Sequence, residues 1–346
     1  MTATVDPTVA TPPAGAEPPP GASQPTDGIG SPLIVAFIGL AVLLAAFLAF
    51  AVWYLVTRQP ISELPGVTSD TIPHYSFTFG SPISPTGIAL SADGERIYVA
   101  QTEEDPKVLV FDRRGSQVGE LVVPAQLGGD HVPVYVAVNP VGGDVYVTDR
   151  PAGALYVFGA DGAFKRVFDP GSDRSGWQPL GLAFAPDGTL LVTDVGNGQV
   201  HEFAPDGSFL RTIGAPGEFS FPNGVAFDSA GRIYVADSNH GRVLVFDAGG
   251  RQLATIPRGA AQSDLGLPRG MVVDREGLLY VVDTSAHAVQ VYRELGKDRT
   301  PAYVGRFGEQ GTGDGAFEYP NAVAVDARGR VYVTDWRNDR IQVWSF

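Results

Sequence analysis

The 346-residue chain carries 24 Lys and Arg against 38 Asp and Glu, a formal net charge of −14. That balance argues against nucleic acid, whose binding rests on clustered basic side chains neutralising phosphates. It has no cysteine, hence no disulfide, thiolate metal site or thiol nucleophile; 43 Gly and 28 Pro indicate many turns joining short strands rather than long helices.

In chain order, residues 1–31 are rich in Pro, Ala, Thr and Gly, as in TPPAGAEPPPGASQP, with almost nothing to bury. Packing cannot recover their ordering entropy, so a disordered tail is expected. From Leu33 to Val56 follow 24 uncharged, mostly apolar residues, enough at helical rise for about 30 Å of hydrocarbon. The run is too long, begins too late and lacks the basic flank of a cleaved signal peptide. The expectation is a single transmembrane helix over residues 32–57 in contact with membrane lipid, with Trp53 and Tyr54 near one interface, and then a linker over 58–73. Arg58, the sole basic residue near the span, taken literally puts its C-terminal side in the cytoplasm. A large β-domain behind a single N-terminal anchor argues the other way, and the expectation is a cell-membrane protein with that domain outside.

From residue 74 onward one phrase recurs, Pro-x-Gly-apolar-Ala-apolar or a near variant, at Pro85, Pro133, Pro179, Pro222, Pro268 and Pro320, with spacings of 48, 46, 43, 46 and 52 residues. After each comes a turn and a second strand (RIYVAQ, DVYVTD, LLVTD, RIYVAD, LYVVD, RVYVTD), then a third (KVLVF, LYVF, QVHEF, RVLVF, AVQVY, RIQVW). A meander of this kind must pack on its neighbours to bury both faces, and a period in the forties with four strands per unit indicates propeller blades. Fourth strands stand at residues 209–214 (FLRTIG) and 303–308 (YVGRFG), but the last unit ends without one. YSFTFG, at residues 75–80, fits the same template, so Tyr75–Phe79 is expected to close the ring as the outer strand of the last blade.

PNGVAFDSAGRIYVADSNHGRVLVFDAGG at residues 222–250 resembles an NHL repeat. The resemblance runs over residues 74–346 and implies an all-β, six-bladed propeller. It is weaker in the first two blades, where Gln101 replaces the Asp that follows strand two, Tyr135 the Gly, and Ala154 the Arg.

Strand parity places the Pro-x-Gly loops and the loops after strand two on one face, together with the long insertions AQLGGDHV, DPGSDRSGWQ and GEQGTGDGAFEY. Variable loops on a rigid ring are where binding concentrates. Asn223, Arg269 and Asn321 after the prolines, and Arg150, Ser238, Thr284 and Trp336 after the acidic position, are the candidates around the channel mouth. Asn223 and Asn321 fit turn positions as readily as a ligand site, and Trp336 and Trp177 are either anchors or rim packing. Asp149, Asp194, Asp237, Asp283 and Asp335 recur once per blade, as carboxylates that accept backbone N–H bonds would, with Arg242 and Arg340 as their partners.

Propellers resembling this one include metal-dependent lactonases and lyases with His, Asp or Glu about the channel, which makes His131, His240 and His287 the metal-ligand candidates. His240 and His287 lie in sequences read as solvent-facing turns, and no phosphate loop or nucleophile elbow occurs. The expectation is a non-catalytic module binding a protein, glycan or small ligand through the longer-loop face, without catalytic residues or cofactor. A metal-dependent lyase or lactonase and a membrane scaffold are the alternatives.

Overall fold

The computed structural model describes residues 38–49, 72–171, 175–215, 217–259, 265–293 and 301–346. The expected tail and nearly all of the linker lie outside these residues, as does much of the expected membrane segment. Residues 38–49 form an α-helix whose side chains are all exposed. Among the described residues no helix is long and apolar enough to cross a membrane.

Six four-stranded antiparallel sheets make up the propeller. Five are consecutive meanders; in the sixth, Pro320–Val325, Val331–Asp335 and Arg340–Ser345 are joined by His74–Phe79 at the outer edge. The register pairs Tyr75 with Trp344, Phe77 with Val343 and Phe79 with Ile341, so the N-terminal strand closes the ring as its sequence template implies.

Alternation within the strands supplies the two faces of each blade. Tyr234, Ala236, Val243 and Val245 of blade 4 meet Met271, Leu279 and Val281 of blade 5, while Ile233, Val235, Leu244 and Phe246 of the same strands meet Leu191, Val200 and Ile213 of blade 3. Each of the six blade interfaces has such a cluster; the closing one joins Phe79, Tyr332, Ile341 and Val343 to Ile88, Ile97, Val99, Leu109 and Phe111. Second strands such as Ile233–Asp237 are therefore buried throughout, whereas outer strands such as Phe209–Ile213 are largely exposed.

In blades 4 to 6 the turns opposite the long-loop face are built on an aspartate. Asp326 Oδ1 accepts from the Arg328 and Arg330 amides at 2.9 Å, and its Oδ2 takes Arg330 Nε at 2.8 Å and the Tyr332 hydroxyl at 3.2 Å. Blade 4 repeats this with Asp228, Arg232 and Tyr234. In blade 5, Leu278 replaces the arginine, so Asp274 keeps the Leu278 amide (2.7 Å) and the Tyr280 hydroxyl (3.0 Å) without a cation from that position. Burial pushes the Asp274 carboxyl up to about 6.

A folded pKa above the unfolded value favours the protonated native state. The stability this gives is full below pH 4 and lost as pH rises through about 6, a change on the order of 2–3 kcal/mol. Asp274→Asn is therefore expected to gain thermal stability relative to the parent between pH 4 and 6.5 and to hold a constant advantage above. A difference that stays flat across that window in paired melting curves contradicts the assignment.

Candidate functional site

In every blade the innermost strand carries a bulge at the Pro-x-Gly step. Pro222 pairs with Asp237 and Val225 with Val235, leaving two residues opposite one, and the same shift recurs in the other five blades. Bulges re-aim side chains. Here the bulged segments bring Thr86, Val134, Leu180, Asn223, Arg269 and Asn321, one from each blade, to the end of the central channel. The following glycines are needed because neighbouring backbones nearly touch: a Cβ on Gly181 would lie 2.2 Å from the Asn223 carbonyl oxygen, and one on Gly224 2.2 Å from that of Arg269.

These six positions line a cavity of about 270 Å³ together with Thr102, Arg150, Tyr135, Phe221 and Trp336. The structure thus brings Asn223, Arg269, Asn321, Arg150 and Trp336 to one pocket. Ser238 and Thr284 are turned elsewhere: their hydroxyls donate to the Pro268 and Pro320 carbonyls at 2.5 and 2.7 Å, tying each loop to the next blade. Asn223 and Asn321 are not turn residues; they sit in the innermost strands, 5% and 4% exposed. Trp177 packs beside His201 and Phe203 (centroids 5.7 and 6.3 Å) in the interface between blades 2 and 3.

Tyr135, which stands where four other blades have glycine, is the residue that sequence reading missed. Its hydroxyl lies 2.7 Å from Asn223 Oδ1 and 3.2 Å from Asn321 Oδ1, so one side chain from blade 2 is bonded to blades 4 and 6. One hydroxyl proton serves one of these oxygens at a time, and the shorter distance favours Asn223. The ring separates the mouth from a constriction of about 40 Å³, beyond which the channel widens again between Ile88–Leu90, Val136–Val138 and their counterparts in the other blades. Burial raises the Tyr135 pKa far above the ordinary phenol value, against the opposing influence of Arg269. The hydroxyl therefore stays neutral.

Arg150 lies with its guanidinium carbon 5.1 Å from the centre of the Phe221 ring, and Phe221 itself adopts a φ of 58°, as do Ser84 (51°) and Tyr319 (55°) at the same pre-proline position. Positive φ is costly for a bulky residue. No signal in the Pro-x-Gly phrase marks Phe221; the Tyr for Gly exchange at 135 was the visible clue for its neighbour.

The recurring aspartates form a buried structural collar. Asp237 accepts from the Ser220 amide (2.7 Å) and Arg242 Nε (2.7 Å), and Asp335 from the Glu318 amide (2.7 Å) and Arg340 Nε (2.8 Å). Burial alone would raise the Asp194 carboxyl, but His201, the Gln178 amide and Asn197 hold it below the ordinary range. Blade 1 does the same work with a neutral amide: Gln101 Oε1 accepts from the Ile83 amide at 3.0 Å.

The histidines do not converge. His131 Nδ1 sits 3.1 Å from Asp149 Oδ2, His240 Nδ1 2.7 Å from Asp237 Oδ2, and His287 Nδ1 accepts from the Tyr319 amide at 3.2 Å, in blades 2, 4 and 5 respectively. His287 is buried rather than solvent-facing, because its φ of 52° folds the imidazole under Tyr319, centroids 4.6 Å apart. Among the described residues no three His, Cys, Asp or Glu side chains gather as a metal site.

The propeller is thus closed and six-bladed, with a pocket of mixed apolar and hydrogen-bonding side chains at one end of its channel. The NHL repeat family model matches residues 177–203, 219–246, 265–292 and 317–344, one stretch in each of blades 3 to 6, so these four blades carry NHL repeats. Relatives include NHL repeat-containing protein 3 of Homo sapiens, 26% identical over 220 residues (61% of this chain, 51% of that one), and its Mus musculus counterpart, 27% over 218 residues with the same coverages. The match therefore spans about half the length of these curated relatives. Similar solved structures are a streptogramin B lyase (TM-score 0.56, 15% identity, 79% of this chain and 97% of that), virginiamycin B lyase from Staphylococcus aureus (0.55, 12%, 79% and 99%) and a chain of a nidogen/laminin complex (0.51, 18%, 65% and 84%). At these identities the likeness is one of fold.

Proposed function

We propose that the protein is a membrane-anchored recognition module that binds its ligand or partner at the pocketed face and performs no chemistry on it. The observation that carries this reading is the pocket itself, in which Asn223, Arg269, Asn321, Arg150 and Trp336 meet. The absence of a metal-donor cluster among the described residues leaves the lyase alternative resting on fold alone. The fold itself is neutral, since this chain is similar both to the lyases and to a chain of a nidogen/laminin complex. Anchoring rests on the sequence, on the 24 uncharged, mostly apolar residues from Leu33 to Val56. The same proposal puts the propeller on the extracytoplasmic side, on the ground that a large β-domain follows a single N-terminal apolar run.

Because the chain has no cysteine, a single introduced one tests both halves of this reading. Arg337→Cys lies exposed beside Trp336 on the pocketed face, and Ala230→Cys lies exposed in an opposite turn. With a membrane-impermeant maleimide bearing a photo-crosslinker, both are expected to label in intact cells, and only the label at 337 is expected to form adducts. Labelling that requires lysis overturns the external placement. Adducts from position 230 and none from 337 overturn the assigned face.

A further inference from the structure

We infer that the channel mouth is a site for a small organic carboxylate received by Arg269, an inference that rests on the reading of this face as the binding face. The first observation is an arginine that meets no carboxylate among the described residues. Arg211, Arg232, Arg242, Arg330 and Arg340 each meet a carboxylate of their own blade. Arg269 is half-buried, and its Nε is fully buried without a hydrogen-bond partner. A buried guanidinium N–H left unbonded is costly, and buried polar atoms are otherwise nearly always bonded.

The second observation is the lining. In a chain of net charge −14, no carboxylate among the described residues lines this cavity, while two arginines do. Neutral hydrogen-bonding groups flank the guanidinium: the carboxamides of Asn223 and Asn321 on either side and the Tyr135 hydroxyl below. Arg150 stacks on Phe221 nearer the rim, so one cation faces inward, which suits a single negative charge. The planar fork of a guanidinium matches the two oxygens of a carboxylate.

The third is polarity across the ring. Blades 4, 5 and 6 contribute Asn223, Arg269 and Asn321, while blades 2 and 3, across the channel, contribute Val134 and Leu180. A ligand with its carboxylate on Arg269 therefore lays an apolar body against blades 2 and 3 and under the rim aromatics Phe221 and Trp336. At about 270 Å³, with Tyr135 as a floor, the space is at the small end of ligand pockets and takes a metabolite-sized molecule rather than a length of peptide.

The test uses the full chain in a non-ionic detergent, with propionate, benzoate and phenylacetate each paired against its primary amide as probes in ligand-observed NMR. The acids are expected to bind and the amides not, and Arg269→Gln is expected to weaken the acids at least tenfold, with detergent partitioning unchanged between the two proteins. Arg269→Met without ligand is expected to melt at or above the parent temperature, since it removes an unpaired cation. Acids and amides binding alike overturn the carboxylate assignment while leaving the binding face standing. Acid signals that are absent, or indistinguishable in parent and Arg269→Gln, also overturn it, and the crosslinking at position 337 then decides the face independently. A clear fall in melting temperature for Arg269→Met shows that the guanidinium has a structural partner and removes the premise.

Discussion

Deletion of residues 74–80 is expected to abolish cooperative unfolding and leave an aggregation-prone chain, although the deletion removes only one edge strand. That strand holds the last blade to the first. Phe79 packs edge-on against Phe111 of blade 1 (5.5 Å) and against Tyr332 of blade 6 (6.4 Å), and Tyr75 packs against Trp344 (6.0 Å). Loss of these rings forfeits about 2–3 kcal/mol for each that is fully buried, and the ladder to Arg340–Ser345 goes with them. The sum approaches the entire net stability of a domain, about 5–15 kcal/mol. The exposed edge of Arg340–Ser345 would then be free to pair with another chain. Far-UV melting and size-exclusion chromatography of the deletion beside the parent check this, and a deletion variant that stays monomeric with an unchanged melting temperature refutes the closure argument.

Much of this architecture is legible in the sequence because a propeller repeats its instructions. The Pro-x-Gly phrase marks the bulge of each innermost strand, and the register of six sheets shows the same bulge at each. The closing strand is legible for a similar reason: its aromatic and glycine spacing copies the outer strands of blades 3 and 5. What is not legible is any contact across the channel, because it joins residues that no local pattern relates. Tyr135 and Asn321 are 186 residues apart and meet only once the ring has closed. Nor does the sequence distinguish Thr284 from Arg150, which hold equivalent positions. The hydroxyl is short enough to bond the Pro320 carbonyl of the next blade, whereas the long guanidinium reaches the rim and stacks on Phe221.

Asp335→Ala is expected to destabilise the propeller by about 3–5 kcal/mol, the range for removing one partner of a buried ion pair. The carboxylate is fully buried and satisfies four donors: the Glu318 amide, Asn338 Nδ2, Arg340 Nε and Gln342 Nε2, at 2.7, 2.8, 2.8 and 3.1 Å. Alanine leaves Arg340, with a side chain only 13% exposed, and the wholly buried Gln342 facing an empty acceptor position. In a domain of this size the loss corresponds to a fall in melting temperature of roughly 10 °C. Gln101→Ala in blade 1, which removes a neutral acceptor and no ion pair, is expected to cost only about 1–2 kcal/mol. The double variant Asp335→Ala, Arg340→Ala should lose less than the sum of the two single variants, because the bond from Arg340 Nε is counted in both, while the bonds from Arg340 to the Thr312, Gly313 and Ala316 carbonyls are lost only with the arginine. Melting curves of these variants separate the charge from the packing. If Asp335→Ala melts within 2 °C of the parent, or if the costs of the two single variants add in full, the repeated aspartate is not the clamp that fixes the loops around the mouth.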